Sequence, residues 1–451
     1  MRTAFEKIKS IWSAVDIRKK ILYTALILLV YRIGCAIPVP YVSTNAISTF
    51  ETLYSGTIFE YMNLLSGGAL AQATLFALGV SPYITAQIVM QLLTVAIPKL
   101  GKWAKEEDGQ KKLTKITRYA TIGLAVLTAL AYYFILSNNN MLVVSEYPWL
   151  QCIVIIAAFT AGSALIMWLG DKISEKGIGN GISMILFVNI ISQGFSIGFS
   201  IGALTTQWYW GTIFGVLIIA ATALILYFIV KVTNSERRLT VIYAKRTSGR
   251  KVYGGQKNYL PLKLNMSGVM PIIFASSIVS LPVTITTLVG KGTATKGFAG
   301  LINNLFGTQS LLYVLLFLVL IVLFAYFYIM ISFDPVEVSN NLKNNGGSIR
   351  GIRPGEKTAE YIQKILNRIT FIGAIFLAVI AGVPLLVSCI ASILGDFSAT
   401  AKFFGPTVLS SLSRITFGGS SLLIVIGVAL ETYRNIEAQM AMRHYKGFIR
   451  N

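Results

Sequence analysis

Ten long apolar runs dominate this chain, separated by polar segments. They fall near 21–37, 72–98, 116–137, 149–170, 181–203, 209–231, 267–289, 310–331, 369–395 and 416–431. An α-helix needs about 20 apolar residues to cross a hydrocarbon core. Runs this long and continuous predict helices, because barrel strands are shorter and alternate. The expected fold class is an all-α polytopic membrane protein with ten transmembrane helices. The composition agrees: of 451 residues, 55% are hydrophobic and only 13% charged. An even number of spans puts both termini on the same side.

Charge decides which side. The chain carries 39 Lys and Arg against 18 Asp and Glu. One set of loops holds only four bases (Lys291, Lys296, Lys402, Arg414), balanced by four acids (Glu51, Glu60, Glu146, Asp396). Every other base except Arg32 lies in the N-terminal segment, the alternate loops and the C-terminal tail. Basic loops stay in the cytoplasm, so both termini of this multi-pass protein are expected there. The excess of positive charge is larger than orientation requires.

Several chemistries find no support. Arg18-Lys19-Lys20 before an apolar run invites a cleaved signal peptide, but no small-x-small cleavage site follows. Cys35, Cys152 and Cys389 lie far apart, in or beside spans, and form neither a disulfide framework nor a metal motif. His444, the only histidine, sits in the polar tail. Gly351…Gly355-Glu356-Lys357-Thr358 fails the phosphate-loop spacing, which needs four residues between the glycines and Lys directly after the second. No cofactor and no catalytic residue is expected, and any driving energy must come from a partner.

The spans hold almost no ionisable groups. Arg32, near the outer end of the first, is expected to snorkel or to bind backbone carbonyls. Asp334 and Glu337 read as loop. That absence counts against a proton or ion relay and suits a path lined by apolar and small polar groups. Pro82, Pro271, Pro282 and Pro384 read as interruptions of apolar stretches. Residues 58–65 read as one or two amphipathic turns, broken by Ser66-Gly67-Gly68-Ala69. They are too short to cross, and on physical grounds alone a surface helix is the expectation.

Two basic loops stand out. In 232–266, Arg237 to Ile242 is strand-like and Gly254-Gly255 marks a turn, so a protruding hairpin is expected. In 332–368, Gly351-Ile352-Arg353-Pro354-Gly355 is a turn presenting Arg353. Both suit rRNA phosphates or an acidic protein surface, and anionic lipid less well.

SGGALAQATLFALGVSPYITAQIVMQLLT (66–94), GIGNGIS (177–183), the stretch 243–277, NLKNNGGSIRGIRPGEKTAEYI (341–362) and FGGSSLLIV (417–425) resemble the SecY family. Its members are the channel subunits of the bacterial Sec protein translocase. The resemblance runs essentially end to end. It implies two pseudo-symmetric, inverted-repeat halves, 1–205 (spans 1–5) and 206–451 (spans 6–10), forming a clamshell around an hourglass pore. It implies a protein-conducting channel, not an enzyme, that passes unfolded secretory proteins and releases transmembrane helices sideways into the lipid bilayer through a lateral gate. A small-solute transporter and a membrane scaffold are the alternatives. The first is disfavoured by the charge-free spans, and the second leaves the plug-like and gate-like motifs unexplained.

The resemblance also implies roles for residues. The pore ring would be Val80, Ile84, Ile182, Leu186, Ile273 and Ile424, aliphatic groups that exclude water when closed. The plug would lie near 58–68, carrying Phe59, Tyr61, Met62, Leu64 and Leu65, against the surface-helix expectation. Thr85, Gln91, Ser277 and Leu281 would line the lateral gate. Lys245, Arg246, Arg250, Lys251 and Arg353 would dock the SecA motor ATPase or the ribosome. SecE and SecG subunits, signal peptides and nascent membrane proteins are the other implied partners.

Overall fold

The computed structural model describes residues 9, 11–43, 58–143, 146–205, 209–243, 246–248, 251–253, 257–289, 310–395 and 418–449. Ten of its helices overlie the ten expected spans. They are α1 (Val15–Gly34), α3 (Ser81–Ala96), α5 (Glu107–Asn138), α6 (Pro148–Lys176), α7 (Gly181–Thr205), α8 (Tyr209–Asn234), α9 (Met270–Val289), α10 (Leu311–Ser332), α12 (Glu356–Gly395) and α13 (Gly418–Ile449). Three shorter helices join them: α2 (Ile58–Leu65), α4 (Pro98–Lys105) and α11 (Pro335–Asn344). Among the described residues, Glu107–Asn138, Pro148–Lys176, Leu311–Asn344 and Glu356–Val383 are each long and apolar enough to cross a bilayer unaided.

The second span departs from expectation. Residues 66–80 are a chain of turns, and the helix begins only at Ser81. Gly67, Gly68 and Gly79 adopt φ of +71°, +89° and +56°, which no helix accommodates. Pro82 therefore sits in a first helical turn, where its missing N–H is no loss. Pro271 likewise opens α9, and only Pro282 lies inside that helix. At the far end of α3, Pro98 holds Ile97 extended (φ −110°, ψ 109°), and α4 leaves at 108°. Asp334 and Glu337, read as loop, belong to a helix: the Asp334 carboxylate caps α11, accepting from the Val336 and Glu337 amides at 2.9 and 3.3 Å.

The chain divides into two compact units. One comprises Met1–Leu217, Ser276–Val314 and Pro384–Asn451. Here α5 and α6 pack on each other and on α3. Tyr132 meets Phe159 edge-on at 5.1 Å, and Arg118 bridges to Asp171 at 2.7 Å. The turns 66–80 are drawn into this bundle. Leu75 N–H donates to the Ile37 carbonyl at 2.9 Å, Val39 N–H to Ala73 at 3.2 Å, and the Tyr132 hydroxyl to Leu70. Gly162 permits the approach, since a Cβ there would overlap the Leu75 carbonyl oxygen.

The other unit comprises Ile218–Ala275 and Leu315–Val383. Its polar end is a three-stranded antiparallel sheet. β1 (Glu236–Tyr243) lies between β4 (Lys257–Lys263) and β5 (Gly347–Ile349), in register Leu239↔Leu260 and Val241↔Ile349. Beyond it, β2 (Arg246–Ser248) pairs with β3 (Lys251–Tyr253). The expected hairpin is present, and β5 joins the second basic loop to it. Leu239, Leu262 and Ile349 pack against Ile362, Ile365, Leu366 and Ile369 of α12. This small core joins the described strands of the two loops to α12 as one piece. Leu262→Ala should cost about 2–5 kcal/mol of that piece's stability. Limited proteolysis should then cut within 236–263 while the membrane helices stay protected.

Candidate functional site

The short helix α2 packs on α7, with Leu64 buried. Met62 and Leu65 are half-buried, while Phe59 and Tyr61 are placed in α2 by their backbone. The surface-helix expectation is therefore wrong. The helix is amphipathic, but Leu64 has protein to cover it and the following glycines turn the chain inward. Asn63 Oδ1 accepts from Ala71 N–H at 2.9 Å and Ser66 Oγ from Leu70 N–H at 3.1 Å, so the exit from α2 is tied to the turns after it.

Those turns end at Val80, which precedes α3, with Ile84 in the first turn; both are buried. Ile182 and Leu186 occupy the first turns of α7. The GIGNGIS motif builds that start. Asn180 Oδ1 accepts from Ile182 N–H at 3.1 Å, Ser174 Oγ from Gly181 N–H at 2.9 Å, and Thr24 Oγ1 from Ile178 N–H at 3.2 Å. Leu186 is buried, whereas Ile182 is half-buried with its Cδ1 laid over Gly170 of α6. Ile424, fully buried, sits on α13, which packs on α7 and reaches Met184 through Thr432. Ile273, also buried, belongs to the second unit.

At the positions assigned to the gate, Thr85 is buried and donates to its own helix, at the Ser81 carbonyl, 3.0 Å away. Gln91 is half-buried, and its Oε1 has no partner. Ser277 is buried on α9, and Leu281 is placed there by its backbone. On the basic loops, Arg246 and Lys251 start β2 and β3, while Lys245 and Arg250 lie outside the described residues. Arg353 is exposed. Its carbonyl accepts from Thr358 Oγ1 at 2.8 Å, and the Gly355 carbonyl from Ser339 Oγ at 2.6 Å. The turn is thus fixed while its guanidinium faces outward.

Sequence reasoning missed one residue. Asn189 lies in the middle of α7 and is fully buried. Its Nδ2 donates to the Tyr31 hydroxyl and to the Leu65 carbonyl, both at 2.8 Å, and so reaches α1 and the end of α2. An amide within an apolar span was the available signal, because such groups are expensive in a membrane and seek partners. Arg32 finds a side chain: among the described residues it donates through Nη2 to Ser192 Oγ of α7 rather than to a backbone carbonyl. Beside it lies a cavity of about 380 Å³ bordered by Cys35, Asn63, Gly68, Gln72 and Gln193. Among the described residues no group of three or more His, Cys, Asp or Glu could hold a metal.

The SecY family pattern matches residues 74–433. The protein translocase subunit SecY of Mycobacterium tuberculosis is 40% identical over 453 residues, 97% of this chain and 98% of the relative. A solved SecY structure, described for a plug domain that stabilises the closed state of the translocation channel, superposes with a TM-score of 0.61. It is 16% identical and covers 94% of this chain and 93% of that one. Canine Sec61, solved in a ribosome-channel complex, gives 0.58 at 16% identity, with the same coverage. The chain built around this plug-like helix, its inward turns and its two-loop platform belongs to the SecY family.

Proposed function

We propose that this chain is the protein-conducting subunit of a Sec translocase. It passes unfolded secretory proteins across the membrane and releases transmembrane helices sideways into the bilayer, and it is not an enzyme. The observation that carries this reading is α2 with the turns 66–80. A helix too short to cross a membrane packs on α7 and buries Leu64, and the turns after it lead to the aliphatic pair Val80 and Ile84. A small-solute transporter has no use for such a re-entrant stopper followed by apolar side chains. Aliphatic groups form no hydrogen bond to a passing chain and exclude water when it is absent.

In this reading Val80, Ile84, Ile182, Leu186, Ile273 and Ile424 form the constriction, within halves 1–205 and 206–451 related as inverted repeats. Thr85, Gln91, Ser277 and Leu281 line the lateral exit. The platform of β1, β4 and β5 docks the driving partner, the ribosome or the SecA ATPase, through Arg246, Arg250, Lys251 and Arg353, with Lys245 alongside. The canine relative's ribosome complex and the net positive charge of these loops, greatest in 232–266, support that role. SecE and SecG complete the complex, and both termini face the cytoplasm of a bacterium.

A secretory chain stalled in transit in membranes, with a photoreactive residue at Ile273 or at Ile182, tests the reading. Crosslinks from both positions to the stalled chain are expected. Their absence, with the stalled chain still protected from protease by the membrane, would remove the assigned path.

A further inference from the structure

The contacts of Asn189 show how the stopper is held. Leu65 is the last residue of α2, so its carbonyl has no partner within the helix. Asn189 supplies one from 124 positions away. The orientation of the amide follows from chemistry: turned over, its oxygen would face the Leu65 carbonyl. With both Nδ2 hydrogens given away, Oδ1 is left without a partner, although buried. Arg32 Nη1 is buried and without a partner too. A strong donor and a good acceptor stand unpaired around the same point. A Cβ on Gly67 would lie 2.8 Å from Arg32 Nη1 and 2.8 Å from Asn189 Oδ1. That Cβ position, left empty by the glycine at φ +71°, is within reach of both.

Resting on the channel reading, we infer that Asn189, Arg32 and Gly67 form a partner-exchange latch that sets how readily the plug leaves. With α2 seated, Asn189 binds Leu65, and Arg32 Nη1 and Asn189 Oδ1 stand unpaired beside Gly67. When residues 65–67 withdraw, the Asn189–Leu65 bond is lost. Arg32 Nη1 can then close on Asn189 Oδ1 in a charge-assisted bond, with the cavity beside Arg32 giving it room. One hydrogen bond is exchanged for another, so release does not also cost an unmet hydrogen bond at Asn189. A signal sequence therefore has that much less to supply to open the channel. Asn189 and Arg32 are positioning residues and need not touch the translocating chain.

The latch predicts opposite signs for two substitutions, measured as resting ion conductance of the full complex in planar bilayers and as export of a reporter with a defective signal sequence. Asn189→Asp cannot donate to Leu65 and pairs with Arg32 instead. Both readouts should rise, by roughly threefold to tenfold for one hydrogen bond. Arg32→Met removes the bond of the released state and the unpaired buried donor of the seated one, and both readouts should fall below wild type. Should Asn189→Asp fail to accumulate, Gly67→Ala gives the same test, because its methyl enters the contact and both readouts should rise. Deletion of 58–65 is the control. If the deletion conducts strongly but Asn189→Asp and Gly67→Ala stay at wild-type values, the latch is wrong and the plug reading stands. If Arg32→Met moves in the same direction as Asn189→Asp, the exchange is wrong. A deletion that conducts no more than wild type would overturn the plug reading and the latch with it.

Discussion

Arg353→Glu is expected to abolish motor-driven export while the chain itself still accumulates in the membrane. Gly351 and Gly355 hold φ of +80° and +106°, and the carbonyls of Arg353 and Gly355 are fixed by Thr358 and Ser339. None of these contacts uses the Arg353 guanidinium, which is exposed. Reversing its charge therefore leaves the turn intact and changes only what the turn presents. Against an acidic partner, losing a close charge pair costs about 2–5 kcal/mol, or roughly 30-fold to several-thousandfold in affinity. The check is export of a secretory reporter together with membrane abundance of the variant. Normal export at normal abundance would remove Arg353 from the docking surface. Loss of abundance would mean that the side chain has a folding role its exposure does not reveal.

How far the sequence carried the fold depends on the range of the interactions. The spans were legible because length and continuous apolarity are local properties. The hairpin was legible because Arg237 to Ile242 has strand character. The third strand was not: Gly347–Ile349 is three residues long, and its partner Val241 lies over a hundred positions away. Alternation cannot be read from three residues, and pairing depends on α12 bringing Ile362 and Leu366 beneath the sheet. Residues 72–80 misled for a different reason. Their apolar composition suits a span, but the positive φ of Gly67, Gly68 and Gly79 and the tethers to Ile37 and Tyr132 turn them into a buried coil. Hydropathy reports burial, and burial here is inside protein.

The candidate site was legible only where a motif carried it. Val80 and Ile424 are ordinary aliphatic residues, and periodicity alone would assign them to lipid or core. The start of α7 shows why GIGNGIS is recognisable: Asn180 caps the helix, and Ser174 and Thr24 satisfy the neighbouring amides. Asn189 carried a signal of its own, a single amide inside ILFVNIIS. Its two donor contacts reach residues 158 and 124 positions distant, so its partners could not be read from spacing.

Ile424→Asn should open an ion leak and let weak signal sequences pass. Ile424 is fully buried on α13, against the helix that carries Ile182 and Leu186. An amide there without partners costs about 1–3 kcal/mol, and the site lowers that cost by admitting water. A constriction that seals by excluding water cannot tolerate a hydrated side chain. Resting conductance should therefore rise by about an order of magnitude or more, in line with that cost. The effect must be separated from simple damage to the core. Ile155 is equally buried, on α6, and belongs to no assigned constriction. Ile155→Asn should lower the amount of folded protein without making the surviving channels leak. If both variants lose stability and neither conducts, Ile424 is a packing residue. If Ile424→Asn alone conducts, the hydrophobic seal includes it.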